Sequence, residues 1–299
     1  ASFRCRAIGL RDPADPLTKP LGRRAHRRLG HAARGRQGRL WPRGNAPRAL
    51  AAPGIEGFLL QAARARLGTG NPPSGAARYA GEKQAAALLA RAEEHSAVGL
   101  LYAGLAAAGL GGLPSGLAGS LSRAYARQLA HNHLVLAEMR RVLQALQGVD
   151  VMVAKGLALA AVYYRDPGIR PTADIDLIIR YADFERVAAA LARLEYSAKA
   201  DYQEKLELYC HVTFEREAAA GVPVEAHWSL GRDFPSNPDD GALWRGAQNA
   251  DIGEGSVRTL STENHLLHAA LHLAHHTVFG GYPSLLWLTD VALLSRQQG

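Results

Sequence analysis

From Ile55 to Gln147 the apolar residues recur at spacings of three and four. The segments Glu82–Glu94 and 121–146 show this best. In the second, Leu134, Val135, Met139, Val142, Leu143 and Leu146 form a stripe interrupted by Glu138. That period predicts amphipathic helices, and Pro72-Pro73 and Leu113-Pro114-Ser115-Gly116 predict loops between them. Residues 96–122 carry no charge, but they are rich in Gly and Ala and broken by Gly111-Gly112 and Pro114. A membrane span needs about 20 mainly apolar residues, so this stretch reads as a buried helix, a loop and the start of another helix.

Beyond residue 148 the pattern changes to short apolar runs. Strands are expected at 149–154, 174–179, 208–216 and 222–229, with a helix at 182–194 whose Phe184, Val187, Ala188, Leu191 and Leu194 share one face. Gly221 before Val222-Pro223 marks a turn between two antiparallel strands. From Ser261, a candidate N-cap with Glu263 in the first turn, the chain reads as helical again, including an apolar helix at 285–294. The expected organisation is a helical module (55–147), a mixed core (148–260) and a C-terminal helical module (261–299) that stops short. The fold class is α+β.

Residues 1–54 change the meaning of the charge. Thirteen of the 35 Lys and Arg but only two of the 27 Asp and Glu fall there, so this segment carries +11 and the remainder −3. The segment is Arg/Gly/Pro/Ala-rich without apolar periodicity and is expected to be a disordered basic tail. A nucleic-acid arm, a transit peptide and a sequence outside the working protein remain open for it. Phe3 and Trp41 are its two Phe/Tyr/Trp residues, too few to interleave as a base-stacking arm, which favours a plain tail or the last reading. The slightly acidic remainder argues against long nucleic acid as a partner. Cys5 and Cys210 cannot form a disulfide framework or a zinc ribbon, which suits a reducing, cytoplasmic setting. No membrane association is expected.

The candidate chemistry lies in VMVAKGLALAAVYYRDPGIRPTADIDLIIR, residues 151–180. Asp174 and Asp176 stand two apart, which on a strand puts both carboxylates on one face. Paired carboxylates suit Mg²⁺ or Mn²⁺ and, with it, a phosphate-bearing substrate. Lys155-Gly156 opens a helix after a strand, where backbone can approach phosphates, and Arg170 offers a guanidinium fork. On a later strand, Glu225 and His227 share a face by the same alternation.

These motifs resemble the uncharacterised nucleotidyltransferase family of the DNA polymerase β-like superfamily, over about residues 80–296. Lys155-Gly156 falls at the strand-to-helix turn, Tyr164, Asp166, Pro167, Gly168 and Arg170 at the family's loop, and Asp174 and Asp176 at its paired carboxylates. Glu225-Ala-His227-Trp228 falls at its later acid-apolar-His-Trp strand. Lys-Gly stands where other superfamily branches carry Gly-Ser or Gly-Gly, and Glu225 where they often carry Asp. The resemblance implies a minimal nucleotidyltransferase core and a two-metal mechanism. Asp174, Asp176 and Glu225 would hold metal, and Lys155, Gly156, Arg170 and His227 would contact the nucleotide. A nucleotidyl group would pass from an NTP to a small-molecule or protein acceptor, releasing pyrophosphate. The competing expectation is a non-catalytic nucleotide-binding or antitoxin-like regulatory module.

His265, His268, His272, His275 and His276 lie on one face of an expected helix. They read either as a polar face packed on the core or as a second metal or acid/base group. The first is favoured because no HExxH-type carboxylate accompanies them. Asp290 is a candidate partner for one of them. Trp228, Tyr163 and Tyr164 are expected in the core.

Overall fold

A computed structural model describes residues 54–298 except 108, 199–209, 218–220, 232–239, 254 and 281–282. The expected disordered tail lies outside the described residues apart from Gly54. Helices α1 (Ile55–Arg66), α2 (Glu82–Glu94), α3 (Val98–Ala106) and α4 (Ser115–Ala145) come first. They are followed by β1 (Val151–Val153), α5 (Lys155–Leu159), β2 (Ile175–Ile179), α6 (Phe184–Ala192), β3 (Ser197–Ala198), β4 (His211–Glu215) and β5 (Val224–His227). The chain ends with α7 (Asp240–Arg245), β6 (Gln248–Ile252), β7 (Gly255–Thr259), α8 (Thr262–Gly280) and α9 (Leu285–Ser295).

The strands form one mixed sheet in the order β3-β4-β5-β2-β1-β7-β6, so the fold is α+β. At its centre β2 runs antiparallel to β1 and parallel to β5. Every residue of β2 is buried, as expected for a strand covered on both faces. The strands are shorter than the hydrophobic runs suggest, because Val149 and Val222 pack against the core without joining the ladder. The strands flanking Gly221, β4 and β5, do pair antiparallel, and residues 218–220 of the expected turn lie outside the described residues.

Two apolar clusters organise the packing. One joins α1–α3, the start of α4 and α9, with Phe58, Leu59, Leu100, Leu101, Leu117 and Leu121 fully buried. The other joins the end of α4 and α6 to the sheet through Val135, Met139, Val142, Ile175, Leu177 and Val187. Leu134, expected in the α4 stripe, is instead 64% exposed. The buried stripe runs Val135, Leu136, Met139, Val142, which turns Leu134 outward. Glu138 interrupts the stripe because it has partners: Tyr196 Oη donates to it at 2.9 Å and Arg141 at 3.2 Å. Ser261 does cap α8, accepting from the Asn264 N–H at 3.3 Å. Among the described residues no helix is long and apolar enough to cross a membrane.

The middle of α4 performs a task its apolar pattern does not announce. Tyr125, Gln128, His131 and Asn132 fall on one face by the helical period and grip the loop between α5 and β2. Tyr125 Oη donates to Asp166 at 2.8 Å, Gln128 to the Gly168 carbonyl at 2.6 Å, and His131 to the Thr172 carbonyl at 3.1 Å. Asn132 donates to the carbonyls of Pro167 and Arg170 and accepts from the Thr172 N–H at 3.1 Å. On the other side Gly99 lets α3 touch the same loop, since a Cβ there would lie 2.2 Å from the Ile169 carbonyl oxygen. The loop leading into Asp174 and Asp176 is therefore held from two helices.

Candidate active site

The register of β2 against β5 builds the site. Asp176 pairs directly with Glu225, and Ile178 with His227, across a parallel ladder. Asp174 lies one residue before β2 and Lys155 just after β1. Lys155 adopts φ +40°, a left-handed conformation unusual for a non-glycine residue, and its side chain reaches across to the acids. Lys155 Nζ lies 2.7 Å from Asp176 Oδ1 and 3.7 Å from Glu225 Oε2. His227 Nε2 lies 3.0 Å from Asp176 Oδ1 and 3.2 Å from Glu225 Oε2. Lys155 Nζ and His227 Nε2 are 3.4 Å apart.

Charge explains that arrangement. Burial alone would push the Asp176 carboxyl up, but Lys155 and His227 hold it well below the usual carboxylate range. Glu225 is likewise held low, burial being overcome by its hydrogen bond to His227 and the nearby cations. For His227, burial and Lys155 work against the proton, yet the bonds to Asp176, Cys210 and Glu225 win and carry it up to about 10. Two anions thus face two cations. Asp174 is left over: burial first, then the charges of Asp176 and Glu225, push its carboxyl up to about 7.

A divalent cation fits this chemistry. Asp174, Asp176 and Glu225 are hard oxygen donors, and ligand atoms of Asp176, Glu225 and His227 lie within 4.8 Å of one another. A half-buried carboxyl left short of positive charge, as Asp174 is, is what such an ion would relieve.

Gly156 and Arg170 stand apart from the cluster. Gly156 is buried beneath Thr172, and a Cβ there would lie 2.6 Å from Thr172 Cγ2. The missing side chain therefore admits the loop. Arg170 is buried, and its Nη2 lies 2.9 Å and its Nε 3.1 Å from the Asp290 carboxylate, which also accepts from Tyr164 Oη at 2.8 Å. From the sequence Asp290 is a candidate partner for one of the histidines. It is instead the buried partner of Arg170, joining α9 to the loop. Tyr164 is a core residue, and Trp228 is half-buried against Phe184 and Tyr181.

The histidine face divides. His265 Nε2 is 2.9 Å from Thr259 Oγ1, a satisfied core contact, while His275 is exposed. His268 and His272, with Lys155, Arg170, Trp287 and Asp290, line a cavity of about 20 Å³ beside the acids. That is room for about one water-sized group. The His268 Nδ1 atom is buried without a hydrogen-bond partner among the described residues. Burial keeps His268 well below its ordinary value and, with Lys155, brings His272 down to about 3, so both are neutral imidazoles. A larger cleft of about 350 Å³ is lined by Arg66, Tyr163, Arg165 and Arg296. Neither cavity is lined by Asp174, Asp176 or Glu225, but Lys155 of the smaller one contacts Asp176, so chemistry rather than size identifies the site. Cys210 and His211, beside His227, were not singled out from the sequence: their proximity arises from the β4–β5 register.

Residues 81–299 match the family model described as "Uncharacterised nucleotidyltransferase". The chain matches no curated protein. Two of the solved structures similar to this chain cover just over half of it. One is the solution structure of the antibiotic-resistance factor ANT(2'')-Ia, at 15% identity and TM-score 0.42, covering 56% of this chain and 86% of that one. The other is an antigenic nucleotidyltransferase-like protein from Paracoccidioides brasiliensis, at 16% identity and TM-score 0.38, covering 57% of this chain and 77% of that one.

Proposed function

The chain belongs to the uncharacterised nucleotidyltransferase family, and from that membership and the site geometry we propose metal-assisted transfer of a nucleotidyl group from an NTP to an acceptor. The observation that carries the proposal is the convergence of Asp176 and Glu225 in register on parallel strands, with Asp174 beside them and Lys155 bridging both.

In this reading Asp174, Asp176 and Glu225 hold Mg²⁺ or Mn²⁺. When bound, the ion would supply positive charge to the triphosphate and to the oxygens that gain charge during an in-line displacement. An acceptor oxygen forms a bond to the α-phosphorus, the α–β bridging P–O bond breaks, and pyrophosphate leaves with that electron pair. Glu225, ionised at neutral pH, accepts the acceptor's proton. Lys155, beside the acids, supplies positive charge to the phosphates, and Arg170, which lines the adjoining cavity with it and is kept in place by Asp290, adds to that field. His227 donates to the carboxylates and fixes their orientation. The held loop and the Gly156–Thr172 contact keep Lys155 and Asp174 in place, since misplacement by about 1 Å can cost a hundredfold in rate. The acceptor is a small molecule or a protein group, in keeping with the −3 charge of residues 55–299. The cysteine usage suits a cytoplasmic setting.

The test is incubation with Mg²⁺, labelled NTPs and an acceptor panel, following pyrophosphate and label transfer. Wild type should release pyrophosphate, and the Asp174→Asn/Asp176→Asn double variant should not. Equal NTP binding by both, with no turnover by either, would overturn the enzymatic reading in favour of a nucleotide-binding regulatory module.

A further inference from the structure

Next to the carboxylates, on their β4 side, lies a second donor set of different chemistry. Cys210 directly precedes β4, and its carbonyl accepts from the Trp228 N–H at 3.0 Å, which fixes its backbone to the end of β5. His211 and His227 are direct partners in the antiparallel β4–β5 ladder. Paired positions present their side chains on one face, and the two rings lie 4.7 Å apart at 30°. Cys210 Sγ is 3.8 Å from His211 Nδ1, and ligand atoms of Cys210, His211 and His227 all lie within 4.8 Å of one another.

We propose that Cys210, His211 and His227 form a binding site for a borderline transition-metal ion, with zinc(II) the best fit, separate from the hard-cation site of Asp174, Asp176 and Glu225. A thiolate with two imidazoles matches zinc, whereas Mg²⁺ selects oxygen donors. Bond lengths of about 2.3 Å to sulfur and 2.0–2.1 Å to nitrogen put tetrahedral donors roughly 3.3–3.6 Å apart. The 3.8 Å Cys210–His211 separation needs only a small closure. Three protein ligands leave a fourth position open, and Glu225 Oε1 stands 4.0 Å from the other ring nitrogen of His211, Nε2. Because His227 also contacts Asp176 and Glu225, an ion here draws on a residue that orders the carboxylates. Zinc occupancy therefore adjusts the neighbouring site. The proposal does not depend on nucleotidyl transfer taking place.

The test uses the full chain, stripped with chelator and titrated with Zn²⁺, and with Co²⁺ as the optical probe. Wild type should retain one zinc through desalting, measured by elemental analysis, and its cobalt form should show a thiolate-to-metal charge-transfer band. Cys210→Ser should remove the band, and His211→Gln should weaken zinc binding by about tenfold or more, both with melting curves like wild type in chelator. Asp174→Asn, which disables the hard-cation site, should keep both band and zinc. Absence of the band in wild type, or zinc lost from Asp174→Asn but held by Cys210→Ser, would overturn the proposal and leave the three side chains as a hydrogen-bonded trio. If Cys210→Ser fails to fold, the Co²⁺ spectrum of a Cys5→Ser chain decides, because Cys210 is then its single thiol.

Discussion

Lys155 Nζ lies 2.7 Å from Asp176 Oδ1 while Lys155 itself stands at φ +40°. The residue that neutralises the most buried acid does so from a strained backbone, at a cost of about 1–3 kcal/mol. Lys155→Met keeps the strain and loses the charge. Breaking a buried pair costs about 3–5 kcal/mol, and His227 still bonded to Asp176 points to the lower end. Urea denaturation of the metal-free variant should show that loss, and Mg²⁺ should recover part of it. A variant as stable as wild type without metal would show that the pair contributes nothing net.

Asp174 makes metal binding depend on pH. Its carboxyl is carried up to about 7 by burial and then by Asp176 and Glu225. The folded chain therefore holds a proton that the unfolded chain releases near its ordinary value of 3.8. Stability of the metal-free protein falls as pH rises from about 4 to about 7. Over the same window protons compete with the cation, so Mn²⁺ affinity measured by electron paramagnetic resonance should climb as pH approaches 7. Asp174→Asn should flatten both trends. A pH-independent affinity in wild type would contradict the assignment.

The Arg170–Asp290 pair ties α9 to the loop between α5 and β2. Asp290→Asn leaves a buried guanidinium short of its counter-charge, and Arg170→Met leaves the carboxylate with Tyr164 alone. Each should cost about 3–5 kcal/mol, with the Arg170→Met/Asp290→Leu double variant losing less than either single change. Chemical denaturation of the four proteins measures the coupling, and purely additive losses would exclude it.

Gly156→Ala introduces a Cβ 2.6 Å from Thr172 Cγ2. Overpacking of this kind costs about 1–3 kcal/mol and displaces Lys155. Thr172→Ser removes the clashing methyl, so the double variant should regain stability and metal affinity that the single variant loses. No rescue in melting experiments would mean that Gly156 serves some need other than this contact.

The site's components differ in how far the chain itself reveals them. Asp174, Asp176 and Glu225 are legible because strand alternation and carboxylate chemistry are local. The helices Glu82–Glu94 and 285–294 are legible because their apolar patterns are strong. The Arg170–Asp290 pair is not, since 120 residues separate its members. Nor are Cys210 and His211, whose partner emerges only from the β4–β5 register. The β6–β7 hairpin escaped the hydrophobic pattern because QNADI and GSVRT carry few apolar residues. The polar face of α4 was hidden by the same logic: Tyr125, Gln128 and Asn132 look like a solvated surface until the loop they hold is in place.

Helix α4 belongs to both apolar clusters: Leu117, Leu121 and Ala124 sit in the first, and Val135, Met139 and Val142 in the second. A single rigid rod of 31 residues thus threads the helical half and the sheet half. Neither half can melt without pulling the shared rod out of the other. Thermal denaturation of the region should therefore pass through one cooperative step, and local softening on one side of the molecule will be felt at the acids on the other.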